Sequence, residues 1–110
     1  MPSPVPDAIT RYFEADGRRD IDGVVALFTD DAVVVNEGQT WQGISEIRAW
    51  REGPVSLYRY TTEVFDTDLT GEDEYLATGR LDGNFPGGIA KLKWRFSLAG
   101  DRIRRLHIAP

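Results

Sequence analysis

Residues 89–98 constrain the fold more than any other stretch of this chain. Leu92, Trp94, Phe96 and Leu98 alternate there with Lys91, Lys93, Arg95 and Ser97, and successive side chains of a strand point to opposite faces. One face of the sheet that holds this strand is therefore core, and the other is cationic. The tight hairpin Ala99-Gly100-Asp101 leads into a last strand over 102–109. Strict alternation there puts Leu106 and Ile108 inside, and Ile103, Arg105 and His107 on the outer, cationic face. Arg104 shares the inner side but sits at the turn end, where exposure is easy.

The elements before this hairpin follow from periodicity and punctuation. Prolines at 2, 4 and 6 keep the start extended, and Asp7 is placed to cap a first helix. Ala8, Ile9, Tyr12, Phe13, Ala15 and Asp16 have helical spacing, and Gly17 with Arg18-Arg19 ends it. Asp20 caps a short second helix carrying Ile21, Val24, Val25, Leu27 and Phe28. Thr29-Asp30-Asp31 reads as a turn, and the β-branched run 32–36 as a strand. A turn at 37–39 and a short paired segment at 40–42 follow. Ile44, Ile47 and Trp50 then predict a third helix, stopped by Gly53-Pro54. Strands at 57–69 and 75–81, a turn at 70–73 and a loop at 82–88 complete the chain. Helices first and an antiparallel meander afterwards predict an α+β fold, with the helices on one face of the sheet.

With 110 residues and no break in composition, residues 1–110 are expected to form one domain. The absence of cysteine excludes disulfides, a thiolate nucleophile and thiolate-bound metals. A lone His107 excludes a histidine cluster, and no cofactor or metal is indicated. The first residues lack the basic and apolar regions of a signal peptide, and no apolar stretch approaches a membrane span. A cytoplasmic protein with no membrane partner is expected. Net charge is −5, which speaks against nucleic acid. The charge is uneven: residues 1–90 carry 7 basic and 17 acidic side chains, and residues 91–110 carry 6 and 1. Cations on one sheet face, opposite acidic residues of neighbouring strands, would account for that.

Two segments carry a family resemblance. Tyr12-Phe13, the run Asp20-Ile21-Asp22-Gly23-Val24-Val25-Ala26-Leu27-Phe28-Thr29-Asp30-Asp31-Ala32, and Gly43 with Ile47 and Trp50 resemble the opening of nuclear transport factor 2-like and SnoaL-like proteins. Trp94-Arg95-Phe96, a Gly-Asp hairpin and a final strand are similar to their ending. The resemblance implies a cone: a strongly curved sheet, three helices closing its concave side, and a pocket at the wide end. It also implies dimerisation through the outer sheet face. Ketosteroid isomerase, in the same superfamily, uses a carboxylate base with a Tyr and a protonated Asp as oxyanion donors. Aligning Asp30-Asp31-Ala32 with that enzyme retains the tyrosine as Tyr12. The base falls on Asn36 and the second donor on Leu92, neither of which can serve, so that chemistry is not expected. SnoaL-like cyclases carry an acid/base carboxylate on a late strand, whereas inner positions 92, 94, 96, 98, 106 and 108 hold none.

Asp16 is the foremost candidate for chemistry. It follows Tyr12 by four residues on the same helix face, where relatives place an apolar residue pointing into the cone. Partly buried beside a phenol, it would act as base or acid; turned outward past Gly17, it would be a solvated helix end. Asn36, Trp41, Tyr58 and Tyr60 are the expected polar and aromatic ligand contacts, Asn36 having a local backbone role as its alternative. Trp50 and Trp94 read as core, with Trp94 also a pocket wall. Which side of strand 57–69 faces inward depends on whether a bulge interrupts it. Asn84 to Gly88 opens no helix and is a turn rather than a phosphate loop. The chain is expected to be a pocket protein for a small apolar ligand; the alternatives are an acid/base isomerase, cyclase or hydrolase, and a non-catalytic adaptor. A homodimer is expected, because Tyr or Phe, Ile103 and alternating charges make the outer face richer than solvent requires.

Overall fold

A computed structural model describes residues 5–110; the extended reading of Pro2 and Pro4 lies outside the described residues. Helices α1 (Asp7–Gly17) and α2 (Ile21–Val25) come first, then strands β1 (Phe28–Asn36) and β2 (Gln39–Gln42), then α3 (Ile44–Glu52). A 3-10 turn over Pro54–Leu57 leads into the meander β3 (Tyr60–Gly71), β4 (Glu74–Gly83), β5 (Ile89–Ala99) and β6 (Arg102–Ala109). The six strands form one sheet in the order β2-β1-β6-β5-β4-β3. Every pairing is antiparallel except β1 with β6. Among the described residues, no helix is long and apolar enough to cross a membrane.

The alternation of β5 is realised. Trp94, Phe96 and Leu98 are buried, and Lys91, Lys93 and Arg95 are exposed. Phe13 of α1 meets the Trp94 ring edge-on at 5.3 Å, and Tyr12 meets Phe96 at 5.5 Å, so the first helix lies on this face. Ile47 and Trp50 bring α3 onto the same core.

Local chemistry explains where the elements depart from simple periodicity. Asp7 is the first residue of α1 rather than its cap. Pro6 takes that position, with its carbonyl accepting from Ile9 N at 3.0 Å, and Asp7 lends its charge to the helix dipole. Asp20 does cap α2, accepting from Gly23 N at 2.9 Å. Thr29-Asp30-Asp31 belongs to β1 instead of forming a turn, although the pairing with β6 is irregular between Phe28 and Val33. The prolyl turn at 54–57 delays β3 to Tyr60.

Two of the bulges in the sheet bear on the site and the core. Ser97 pairs with Arg105 but Leu98 pairs with Ile103, so β6 carries one extra residue at Arg104. The extra residue resets the alternation, and Ile103 is fully buried rather than on the outer face. The second bulge lies between Val64 and Asp66 of β3. There the backbone comes so close that a Cβ on Gly79 would lie 2.3 Å from Glu63 O. A glycine is what allows that approach.

The outer face is also differently charged than expected. Residues beside the cations on β4 are Arg80, Thr78 and Leu76, paired with Lys91, Lys93 and Arg95. The acids of β3 lie one strand further in the same rows: Glu63, Asp66 and Asp68. Two strand spacings, about 9.5 Å, separate these acids from the cations. Arg80 bonds to Glu63 and Asp82 at 3.1 Å, but Lys91, Lys93, Arg95 and Arg105 form no ion pair among the described residues.

Candidate functional site

A cavity of about 560 Å³ opens between α1, α3, the 3-10 turn and the inner face of the sheet, and its lining is mostly apolar. That is within the ordinary size range for small-molecule sites. Trp50, Leu81, Leu92, Trp94 and Ile108 form apolar walls. Leu57, Tyr58, Phe85 and Pro86 also border it. Leu57 is 73% exposed, which marks the mouth. There Tyr58 and Phe85 meet edge-on at 6.1 Å. Asn84 ties the two mouth segments together: its side chain accepts from Arg59 N at 2.9 Å and its N–H reaches Arg59 O.

Within this apolar enclosure sits a polar cluster centred on Asp16. Its helix places it one turn beyond Tyr12, and only 6% of it is exposed. It turns inward, not to solvent. Arg51 Nη2 donates to Asp16 Oδ1 at 2.7 Å, and the Tyr60 hydroxyl donates to the same oxygen at 2.7 Å. Among the described residues, Oδ2 receives only Thr62 Oγ1, at 3.4 Å, well beyond a normal O–H···O distance. Three elements thus converge on one carboxylate: α1, α3 and β3.

The surroundings fix the protonation of the partners. Burial pushes the Tyr12 phenol far above its ordinary value, and the neighbouring Asp16 charge adds to that, with Arg51 partly offsetting. Tyr60 is raised for the same reasons in the same order, its bond to Asp16 contributing as well. Both are therefore neutral hydrogen-bond donors near pH 7. Burial works against the Arg51 guanidinium, yet its neighbours Tyr12, Asp16 and Tyr60, together with its hydrogen bond to Asp16, outweigh that and raise its pKa. The guanidinium also stacks on Trp50, 5.2 Å from the ring centroid. Arg51 Nε and Trp50 Nε1 are buried without a hydrogen-bond partner among the described residues.

Of the residues singled out from sequence, Tyr12, Asp16, Asn36, Tyr58, Tyr60 and Trp94 all line the cavity. Trp41 does not. It pairs with Val34 on β2 and packs against the core from there. The bulge in β3 comes after Tyr60 and Thr62, so these two point inward while Glu63 points out toward Arg80. His107 shares a row with Arg95 and Val35, outside the cavity lining. Arg51 is the functional residue that sequence reasoning missed. The signal was present: it lies four residues after Ile47 and next to Trp50, on the buried stripe of α3. Arginine on a helix is ordinarily read as exposed.

Residues 9–105 match the family model of the SnoaL-like domain. A crystal structure of a candidate polyketide cyclase from Sinorhizobium meliloti superimposes with a TM-score of 0.89 at 33% identity, covering 96% of this chain and 95% of that one. A protein from Catenulispora acidiphila with a ketosteroid isomerase-like fold, solved with trimethylamine, gives a TM-score of 0.85 at 16% identity over 97% and 87%. A Mycobacterium tuberculosis protein in complex with estradiol-17beta-hemisuccinate gives 0.81 at 18% identity over 94% and 91%. The last two likenesses establish shared fold only. No curated protein matches the sequence.

The buried pair generates a double-mutant prediction. Removing one partner strands a buried charge, so Arg51→Met and Asp16→Leu should each cost about 3–5 kcal/mol in urea unfolding. The double variant should recover most of that loss; additive losses would show that the pair is not the coupled unit described. A pH prediction follows from the phenols. Their folded pKa values lie above the unfolded value of about 10, so their contribution is complete below that pH. It is lost as pH rises past it, because only the unfolded chain ionises. Tyr12 and Tyr60 should develop tyrosinate absorbance only together with alkaline unfolding. Tyr60→Phe should remove one of these late phenols, and an unchanged titration would contradict the assignment.

Proposed function

The chain belongs to the SnoaL-like domain family, and from that premise we propose that it binds a small, largely apolar, oxygen-bearing molecule in the cavity, with the Asp16 cluster as the polar end of the site. The observation that carries this reading is the pairing of an apolar cavity of about 560 Å³ with one carboxylate whose Oδ2 is almost unused. A cluster built only to tie α1 to α3 would satisfy both oxygens. Solved relatives of the same fold hold small molecules, trimethylamine in one and an estradiol ester in another, which fits the proposal.

The same oxygen favours a second reading, acid/base catalysis. In an enzyme of this shape, Asp16 Oδ2 would be the group that takes or returns a proton, with the neutral Tyr12 hydroxyl and the Asn36 amide stabilising a substrate oxygen. Ketosteroid isomerase chemistry is not the proposed reaction. The positions that resemble its base and second donor hold Asn36 and Leu92, and both face the cavity without a proton to exchange.

A homodimer through the outer sheet face is also proposed, although Ile103 no longer supports it. Its support is electrostatic. A two-fold axis laying the acidic column Glu63, Asp66 and Asp68 over a partner's Lys91, Lys93 and Arg95 would neutralise both. Phe65, 55% exposed, would gain cover in that arrangement.

Leu92 tests the cavity. Leu92→Trp should fill it at a stability cost of about 1–3 kcal/mol and abolish uptake of a naphthalene probe followed by fluorescence; undiminished uptake by the folded variant would place binding elsewhere. Sedimentation equilibrium at micromolar protein should show a species of twice 12.4 kDa that dissociates as salt is raised. A 12.4 kDa species alone would remove the dimer.

A further inference from the structure

The polar groups at the inner end of the cavity restrict what a ligand can present to them. Asp16 Oδ2 is an acceptor with one weak contact at 3.4 Å. The Tyr12 hydroxyl has no hydrogen-bond partner among the described residues, and Tyr12 lines the cavity. The two side chains sit one helical turn apart on α1, both buried. One neutral donor and one nearly unused acceptor therefore line the same apolar enclosure from one face of α1.

Charge narrows the choice. Asp16 is already balanced by Arg51 at 2.7 Å, so the floor of the cavity has no net charge for a ligand to neutralise. A ligand carboxylate would crowd Asp16, and a ligand ammonium would crowd Arg51, each after losing its hydration. A ketone or ether oxygen could accept from Tyr12 but would leave Oδ2 without a proton to accept. An uncharged O–H satisfies both sides at once, and Trp50 and Trp94 in the lining suit a ring attached to it.

We infer that the inner end of the ligand is a neutral hydroxyl, phenolic or alcoholic, which donates to Asp16 Oδ2 and accepts from the Tyr12 hydroxyl. This deepens the proposed binding role and rests on it. The class excluded is as informative as the class admitted: acids and amines of the same size and shape are rejected by the ion pair.

Four matched probes test the inference at neutral pH by titration calorimetry: naphthol, its methyl ether, naphthoate and naphthylmethylammonium. Naphthol should bind about tenfold or more tightly than the ether, because the ether leaves a charged acceptor unmet, and both ions should bind more weakly still. Tyr12→Phe keeps the ring that packs on Phe96 and Phe28 and loses only an unpartnered hydroxyl, so it should fold. It should weaken naphthol by about fivefold and the ether comparably, because both oxygens can accept from Tyr12. Naphthoate or the ether binding as tightly as naphthol overturns the hydroxyl assignment while leaving the cavity a ligand site. Naphthol affinity unchanged by Tyr12→Phe does the same. Failure of every probe to bind overturns the binding role itself, and the hydroxyl assignment with it.

Discussion

Everything at the concave side of this molecule is organised around a hydrogen-bonded ion pair that water scarcely reaches. Asp16 and Arg51 are 6% and 4% exposed and meet at 2.7 Å, and Tyr60 completes the contact from the sheet. Such a pair is a poor stabilising device, since the desolvation of two charges consumes most of their attraction. Apolar side chains of similar volume would hold α1 against α3 at least as well. What apolar replacements could not provide is a fixed acceptor oxygen inside an otherwise apolar cavity. Stability alone therefore gives a weak account of the pair, and the use of Oδ2 gives a stronger one.

The cavity exists because the sheet curves away from the helices, and the curvature has identifiable sources. The extra residue at Arg104 turns β6 so that both Ile103 and Leu106 reach the core. The bulge at Val64–Asp66 lets Tyr60 and Thr62 reach inward at one end of β3 while Asp66 and Asp68 stay in the cationic rows of the outer face at the other. Gly79 makes the second bend possible by offering no Cβ where the β3 backbone crosses.

Those bulges also explain what could and could not be read from the chain. Alternation in β5 and the i, i+3 series Ile44, Ile47, Trp50 reported the fold directly, because each pattern is local and period-bound. Strict alternation failed at Ile103, since a bulge is a property of pairing, not of one strand's composition. Asp16 could be singled out by its position after Tyr12, but whether it turned inward depended on a partner 35 residues away. Arg51 was the residue that decided it. A buried arginine is legible only as half of a pair, so neither half could be assigned without the other. The cavity lining came through well where residues sit on regular elements. It failed at Trp41, whose aromatic character suggested a wall while its short edge strand left it against the core.

Two of the three positions that resemble the superfamily's best-known chemistry lie on the sheet wall of the cone, whereas the site proposed here lies on the helix wall, with Tyr12 common to both. Positions 36 and 92, on the sheet side, hold an amide and an alkyl group, so neither can exchange a proton there. Ionisable and hydrogen-bonding groups are concentrated on the helix side at Tyr12, Asp16 and Arg51, with Tyr60 reaching across to them. A ligand anchored at that end would present its far side to Leu92 and Trp94, and would be held by polar contact at one wall and apolar contact at the other. A fold constrains where a cavity can form but leaves free which wall carries the chemistry. In this chain the polar groups cluster on the helical wall, where two helices meet over one carboxylate.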